Sequence, residues 1–173
     1  MTIRVAPAVV EDWARTRDLR LAALADAPDA FGSTLAQEQD QPEPFWRRRL
    51  EREAATTLLA FLDGRDAGLS VVAATDEDPR TAGIYSVWVA PFARGRGVGD
   101  ALLVAAVEDA RTRGFHNVIL EVGEHNLAAQ ALYARHGFVP TGLRTHLPPP
   151  RQHVPEIRLA LQLAAVTDSN LAR

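Results

Sequence analysis

The segment VWVAPFARGRGVGDALL (residues 87–103) constrains the fold more than any other part of the chain. Three glycines, Gly95, Gly97 and Gly99, stand between a run rich in β-forming residues and a run whose apolar residues recur at helical spacing. A second β-rich run, HNVILEV (116–122), follows. A strand, a glycine loop, a helix and a strand predict a βαβ unit with parallel strands and a right-handed crossover.

The rest of the chain predicts antiparallel strands before this unit and a hairpin after it. Strand-like runs occur at TIRVA, TTLLAFLDG, AGLSVVAAT and AGIYSVWVA, and later at FVPTGLRTHL and EIRLALQL. We therefore expect an α/β single domain over residues 1–166, followed by a loose C-terminal tail at 167–173. Its mixed central sheet has antiparallel N-terminal strands, the central βαβ glycine-loop unit and a C-terminal β-hairpin.

Composition excludes several classes of function. The formal net charge of −3 argues against a general affinity for nucleic acid, and the absence of cysteine excludes disulfides and thiolate chemistry. No apolar run approaches the roughly 20 residues of a membrane span, so we expect a cytoplasmic protein that does not bind membranes. The five histidines show no metal-ligand spacing, and no metal is expected.

The glycine loop itself predicts a ligand that carries phosphate. A helix N-terminus leaves N–H groups without partners, and glycines allow a ligand to approach this backbone closely. Arg94 and Arg96 flank the turn and offer charge-assisted hydrogen bonds to phosphate oxygens. The triphosphate-binding pattern is absent because no lysine follows Gly97-Val98-Gly99.

A dinucleotide-binding alternative stays open at this point. Asp100 stands where the third glycine of G-x-G-x-x-G belongs, but Glu121, at the end of the next strand, occupies the place of a ribose-binding acid. A nicotinamide-dependent oxidoreductase would need an open parallel sheet, and the chain offers few elements after this unit.

Two stretches together resemble the core signature of the GNAT superfamily of N-acetyltransferases. The loop Arg94-Gly95-Arg96-Gly97-Val98-Gly99 matches the family pattern Q/R-x-x-G-x-G/A. The run NLAAQALYARHGF (126–138) matches N-x-x-A-x-x-L-Y-x-x-x-G-F. Its defined positions are Asn126, Ala129, Leu132, Tyr133, Gly137 and Phe138.

The resemblance implies direct transfer of an acetyl group from acetyl-coenzyme A to a primary amine in a ternary complex. It implies that the loop, Arg94 to Gly99, holds the pyrophosphate. The backbone of Val87, Trp88 and Val89 would bind the pantetheine arm with help from Asn126. Tyr133 occupies the position of the general acid, beside the thioester sulfur; its alternative role is an aromatic packed on the buried face of its helix.

The general base and the acceptor are less well defined by the sequence. Glu121 is the nearest acid, and a water chain is an equal alternative for accepting the proton. Phe31 and Tyr85 are candidate substrate-binding residues, and the acceptor is a small-molecule amine, an amino acid or a protein N-terminus. The resemblance also favours a homodimer. A catalytically silent acyl-coenzyme A binder is the remaining alternative.

Overall fold

The computed structural model describes residues 1–163 of the chain. The strands are β1 (Ile3–Pro7), β2 (Ala55–Leu62), β3 (Arg65–Ala74), β4 (Thr81–Val89), β5 (Asn117–Gly123), β6 (Val139–His146) and β7 (Pro155–Gln162). The helices are α1 (Trp13–Asp26), α2 (Leu35–Glu38), α3 (Glu43–Leu50), α4 (Val98–Thr112) and α5 (Leu127–Arg135). The tail expected at 167–173, and the end of the expected domain at 164–166, lie outside the described residues.

All seven strands join one mixed sheet in the order β1-β2-β3-β4-β5-β7-β6. The first four strands are antiparallel, β4 and β5 are parallel, and β6 and β7 form an antiparallel hairpin. The predicted α/β architecture is therefore confirmed. The open parallel sheet that the oxidoreductase alternative requires is not found, because β4 and β5 are the one parallel pair in residues 1–163.

Helices cover both faces of this sheet. On one face α4 buries Leu102, Leu103, Ala106 and Ala110 against the central strands. On the other face α1 buries Leu19, Ala23 and Leu24 in a cluster with Trp88 and Phe31. Because both faces are covered, six consecutive residues of β2 (57–62) are buried instead of alternating. No helix in residues 1–163 is both long and apolar enough to cross a membrane.

The two parallel strands separate soon after they meet. They pair at only three positions, from Thr81 opposite Asn117 to Gly83 opposite Ile119. Beyond Gly83, β5 continues to pair with β7 as far as Gly123, while a bulge opposite Ser70 shifts the register of β4 against β3. Residues 84–89 of β4 therefore present one backbone edge that no strand within residues 1–163 covers.

Ser86 lies in this bulge in a left-handed conformation, with φ of +58°. A left-handed residue other than glycine is uncommon and costs roughly 1–2 kcal/mol. The guanidinium of Arg20 donates a hydrogen bond of 3.0 Å to Ser86 Oγ. Helix α1 thus helps to hold the bulge that opens the sheet.

Candidate active site

The glycine turn leads directly into α4. Gly95 and Gly97 have φ of +70° and +84°, in the region that favours glycine, and Gly97 is the N-cap residue of the helix. The backbone N–H groups of residues 95–97 donate to no acceptor within residues 1–163. Together with the free N–H groups of the first helical turn, they form a concentrated set of donors for an anion.

Arg94, one of the two arginines that flank the turn, is already bonded within the protein. Its Nε donates to the carbonyl of Val89 at 3.0 Å, and its guanidinium pairs with the carboxylate of Asp26 at the end of α1. Trp88 Nε1 also donates to Asp26, at 2.9 Å. The hydrogen bond from Trp88, together with Arg94, lowers the pKa of Asp26. Arg96 is exposed and makes no hydrogen bond or ion pair with residues 1–163.

A cavity of about 670 Å³ lies between the glycine turn, the uncovered edge of β4 and helix α5. It brings together most of the residues that the sequence assigned to the cofactor. These are Val87, Trp88, Val89, Arg94, Gly95, Gly97, Gly99, Asn126 and Tyr133. Arg96 and Val98 do not line it, and the side chain of Val98 is buried in the core.

Gly99 and Asn126 shape the far wall of this cavity. A Cβ at Gly99 would lie 3.3 Å from Leu132 Cδ2, so glycine allows α4 and α5 to approach closely. The side-chain oxygen of Asn126 accepts a hydrogen bond of 3.1 Å from Ala129 N and caps α5. With its oxygen used in this way, the amide nitrogen of Asn126 is the group available to a ligand.

A second cavity, of about 280 Å³, lies on the other side of the opening in the sheet. Phe31, Tyr85 and Glu121, all predicted at the site, line it. The two cavities meet, because six residues belong to both walls: Ala30, Phe31, Val87, Asn126, Ala129 and Tyr133. A ligand in the larger cavity would therefore lie next to one in the smaller.

Tyr133 stands at this junction. The residue is 6% exposed, and burial raises the pKa of its hydroxyl to about 12. Its ring packs against Phe138 with centroids 6.0 Å apart. The hydroxyl forms no hydrogen bond with residues 1–163, so it is free to donate into the cavities.

Glu121 lines the smaller cavity but is already paired. Arg158 donates to Glu121 Oε1 from Nε at 2.8 Å, and the same guanidinium pairs with Glu77. Tyr85 lies nearby and is 41% exposed, and burial and the charge of Glu121 raise the pKa of its hydroxyl. Glu121 is thus a carboxylate with one counter-ion and one remaining oxygen.

Sequence reasoning missed the buried charges at the base of this cavity. Arg20 and Glu38 form a two-fold hydrogen-bonded ion pair with both distances 3.0 Å, and Arg49 adds a third contact to Glu38 at 2.9 Å. Burial alone would raise the pKa of Glu38, but Arg20 and Arg49 hold it below its usual value. One feature of the sequence could have indicated this pair. Arg20 lies at helical spacing from the apolar residues Ala23 and Leu24, which places it on the buried face of α1.

Two further residues of the smaller cavity, His125 and Glu156, were not among the predicted site residues. His125 follows β5, and its imidazole covers Gly123, where a Cβ would lie 2.8 Å from His125 Cε1. Glu156 is on β7 directly opposite Gly123. Within residues 1–163 no cluster of three or more histidine or acidic side chains is arranged to hold a metal ion.

Comparisons with known proteins agree with this geometry. A family model for the acetyltransferase (GNAT) family matches residues 18–138, more than half of the chain. No curated protein sequence matched. Among solved structures, yncA from Salmonella typhimurium, with its cofactor acetyl-CoA, has a TM-score of 0.79 at 18% identity, covering 99% of this chain and 100% of that chain.

Two other solved structures show the same fold. A ribosomal-protein-alanine N-acetyltransferase from Brucella melitensis has a TM-score of 0.76 at 23% identity, and a GNAT acetyltransferase from Streptococcus pneumoniae has 0.75 at 20%. Each alignment covers 94% of this chain and 100% of the other.

Proposed function

Since the chain belongs to the acetyltransferase (GNAT) family, as its two motifs predicted, and is therefore an acyltransferase, we propose that it transfers acetyl from acetyl-CoA to a primary amine. The transfer is direct, in a ternary complex with a small-molecule or peptide amine. One observation carries this proposal: the two cavities meet at the opening between β4 and β5, with Tyr133 in the wall of both.

The larger cavity fits the chemistry of coenzyme A. The unpartnered N–H groups of the glycine turn suit the pyrophosphate, since they lie at the positive end of α4. The uncovered edge of β4 at Val87 to Val89 offers backbone groups to the amides of the pantetheine arm, and the amide nitrogen of Asn126 adds a donor. Acetyl-CoA, when bound, supplies the thioester whose acetyl group is transferred.

Arg94 holds the glycine turn in position and neutralises a carboxylate in the wall of this cavity. Its pairing with Asp26 neutralises a carboxylate that would otherwise face the pyrophosphate, and it fixes the turn to β4 through Val89 O. Exposed Arg96 is the arginine whose guanidinium is free to reach a phosphate at the rim. We therefore assign the side-chain phosphate contact to Arg96 and the positioning of the turn to Arg94.

Tyr133 is assigned as the general acid. Because burial raises the pKa of its hydroxyl to about 12, Tyr133 keeps its proton at every physiological pH and can give it to the departing sulfur. A carboxylate or imidazole in the same place would carry its proton only at lower pH.

The role of Glu121 as a proton acceptor stays a prediction. Glu121 lines the smaller cavity, which we call the acceptor cavity because the amine is proposed to bind there, and it has one oxygen that Arg158 does not engage. A water relay between Glu121 and the amine remains compatible with this arrangement.

Release of free thiol from acetyl-CoA in the presence of amines tests the proposal. The panel contains an alkyl monoamine, a diamine, an amino acid, the matching amino alcohol and a short peptide with a free amino terminus. The proposal expects thiol release that depends on an amine and is lost in Tyr133→Phe. Binding of acetyl-CoA with no transfer to any member would instead favour the silent binder.

Assembly and location stay as predictions. We expect a homodimer, and gel filtration with light scattering distinguishes it from a monomer of 18.8 kDa. We also expect the protein to act in the cytoplasm, which fractionation of cells expressing the tagged chain would test.

A further inference from the structure

Acidic side chains outnumber basic ones in the lining of the acceptor cavity. Apart from Tyr85 and Tyr133, its charged or titratable lining residues are Arg20, Asp29, Glu121, His125 and Glu156. The one guanidinium among them, on Arg20, is occupied by both oxygens of Glu38 and by Ser86 Oγ. A carboxylate entering this cavity would therefore meet three acids and no guanidinium that lacks a partner.

Among the described residues, Glu156 is the half-buried acid of this lining that has no counter-ion. Glu121 is held by Arg158, and Asp29 is exposed at the rim. The backbone of Glu156 pairs within the sheet, but within residues 1–163 its carboxylate accepts no hydrogen bond and has no cationic nitrogen within 4.0 Å. A carboxylate in such a place gains from any cation that binds beside it.

The register of the sheet aims Glu156 at the cavity. Residues directly opposite on paired strands share a face, and Glu156 lies opposite Gly123. Since Gly123 has no side chain, the imidazole of His125 occupies the space above it, and His125 and Glu156 both line the cavity. Glu121, two residues before Gly123, lies on the same face.

The neighbouring charges act on Glu156 in opposite directions. Burial and the charge of Glu121 on β5 raise its pKa, while Arg151 in the β6–β7 connection and His146 on β6 oppose this rise. Arg151 does not line the cavity, and its guanidinium donates to the carbonyls of Pro28 and Gly32. Glu156 is consequently a stronger base than an ordinary surface glutamate.

We propose that Glu156 is the counter-ion and proton acceptor of the acceptor ammonium, and that the acceptor carries no carboxylate next to that amine. This inference rests on the proposed acetyl transfer, and it moves to Glu156 the proton transfer predicted above for Glu121. It narrows the acceptors to amines such as amino alcohols, diamines or peptide N-termini. Free amino acids are excluded because their carboxylate would face Glu121 and Glu156 with Arg20 already paired.

The protons and bonds balance as follows. Glu156 takes one proton from the ammonium and passes it to solvent. The amine nitrogen then forms the N–C bond while the C–S bond breaks, and it releases its second proton to solvent. Tyr133 gives its proton to the sulfur and regains one from solvent.

Two acceptors of matched size test directly whether the site rejects a carboxylate next to the amine. Alanine and 2-amino-1-propanol share the amine and methyl group and differ by a carboxylate in place of a hydroxymethyl group. With coenzyme A present, we expect NMR titration to show at least tenfold tighter binding of 2-amino-1-propanol to the wild-type protein. Glu156→Gln should lose this preference, while Glu53→Gln, an exposed and remote control, should keep it.

Kinetics with the best amine of the panel test the proton transfer. At pH 7 we expect Glu156→Gln to lower kcat/KM by about 10–100-fold. The loss should shrink as the pH approaches the pKa of the free amine, because a neutral amine needs no base to become a nucleophile. Melting curves and acetyl-CoA titration confirm that the variant is folded and binds its co-substrate normally.

The outcomes separate this inference from the proposed function. Equal or tighter binding of alanine, or an unchanged preference in Glu156→Gln, overturns the inference even if acetyl transfer is observed. If no amine is acetylated, the proposed function fails, and the binding comparison still decides whether Glu156 recognises the ammonium. A loss in Glu156→Gln that is the same at every pH would assign it a role in binding and refute the proton transfer.

Discussion

Replacement of Tyr133 by phenylalanine removes a single oxygen from the centre of the site. The ring stays, 6% exposed and packed against Phe138. Because the hydroxyl has no hydrogen-bond partner in residues 1–163, its removal breaks no hydrogen bond among the described residues. We expect the free energy of unfolding to change by less than about 1 kcal/mol.

The expected effect on the reaction is much larger. A positioned general acid contributes about 10²–10⁴-fold, which corresponds to about 3–5 kcal/mol of barrier at 1.36 kcal/mol for each factor of ten. We therefore expect Tyr133→Phe to lower kcat by 100-fold or more, at about the same affinity for acetyl-CoA. Thiol release at saturating acetyl-CoA measures kcat, and titration calorimetry measures the affinity.

Tyr85 supplies the matched control, because it lines only the smaller of the two cavities. Tyr85→Phe should raise KM for the amine and leave kcat within about threefold of the wild type. If Tyr133→Phe is folded and also keeps kcat within about threefold, the reasoning is refuted and Tyr133 is an aromatic that packs on the buried face of α5.

The remaining predictions concern stability and assembly. Glu38→Gln leaves the guanidinium of Arg20 buried without its counter-ion, so we expect a loss of about 3–5 kcal/mol in urea unfolding, against no measurable loss for exposed Glu53→Gln. The folded-state pKa of Glu38 lies below its usual 4.5, so this contribution is present above pH 4.5 and is lost as the pH falls through the folded value. The difference between wild type and Glu38→Gln should therefore shrink at acid pH, and a constant difference would contradict the assigned cause. Gel filtration at several concentrations should show a dimer, and a strictly monomeric profile would rule it out.

Local sequence patterns predicted most of the helices and strands, because each of these depends on a short stretch of consecutive residues. The glycine turn, the helix after it and the Asn126–Tyr133 spacing depend on residues close in sequence. The insertion of β7 between β5 and β6 was not predicted, since strand order depends on contacts between distant segments. The order of apolar and polar residues also did not predict where β4 separates from β5, because a bulge at Ser86 does not alter that order.

The candidate site shows the same division. The sequence motifs predicted that Tyr133, Asn126 and the glycine turn belong to one site, and all three line the larger cavity. The ion pairs of the site, in contrast, join residues far apart in the chain. Asp26 and Arg94 are 68 positions apart, and the partner of Glu121, Arg158, comes from β7. Such pairs are set by the tertiary fold, so their effect on a predicted phosphate ligand or base could be found only in the structure.

Titration calorimetry with acetyl-CoA on two glycine variants tests the central claim most directly. Gly97 and Gly114 lie at opposite ends of α4 with nearly equal φ, +84° and +81°, so Gly97→Asp and Gly114→Asp impose the same backbone strain. Only Gly97→Asp places a carboxylate where the pyrophosphate is proposed to bind. We expect the wild type and Gly114→Asp to bind acetyl-CoA alike and Gly97→Asp to bind at least about 100-fold more weakly. Equal binding by all three proteins, or no binding by the wild type, would contradict the account.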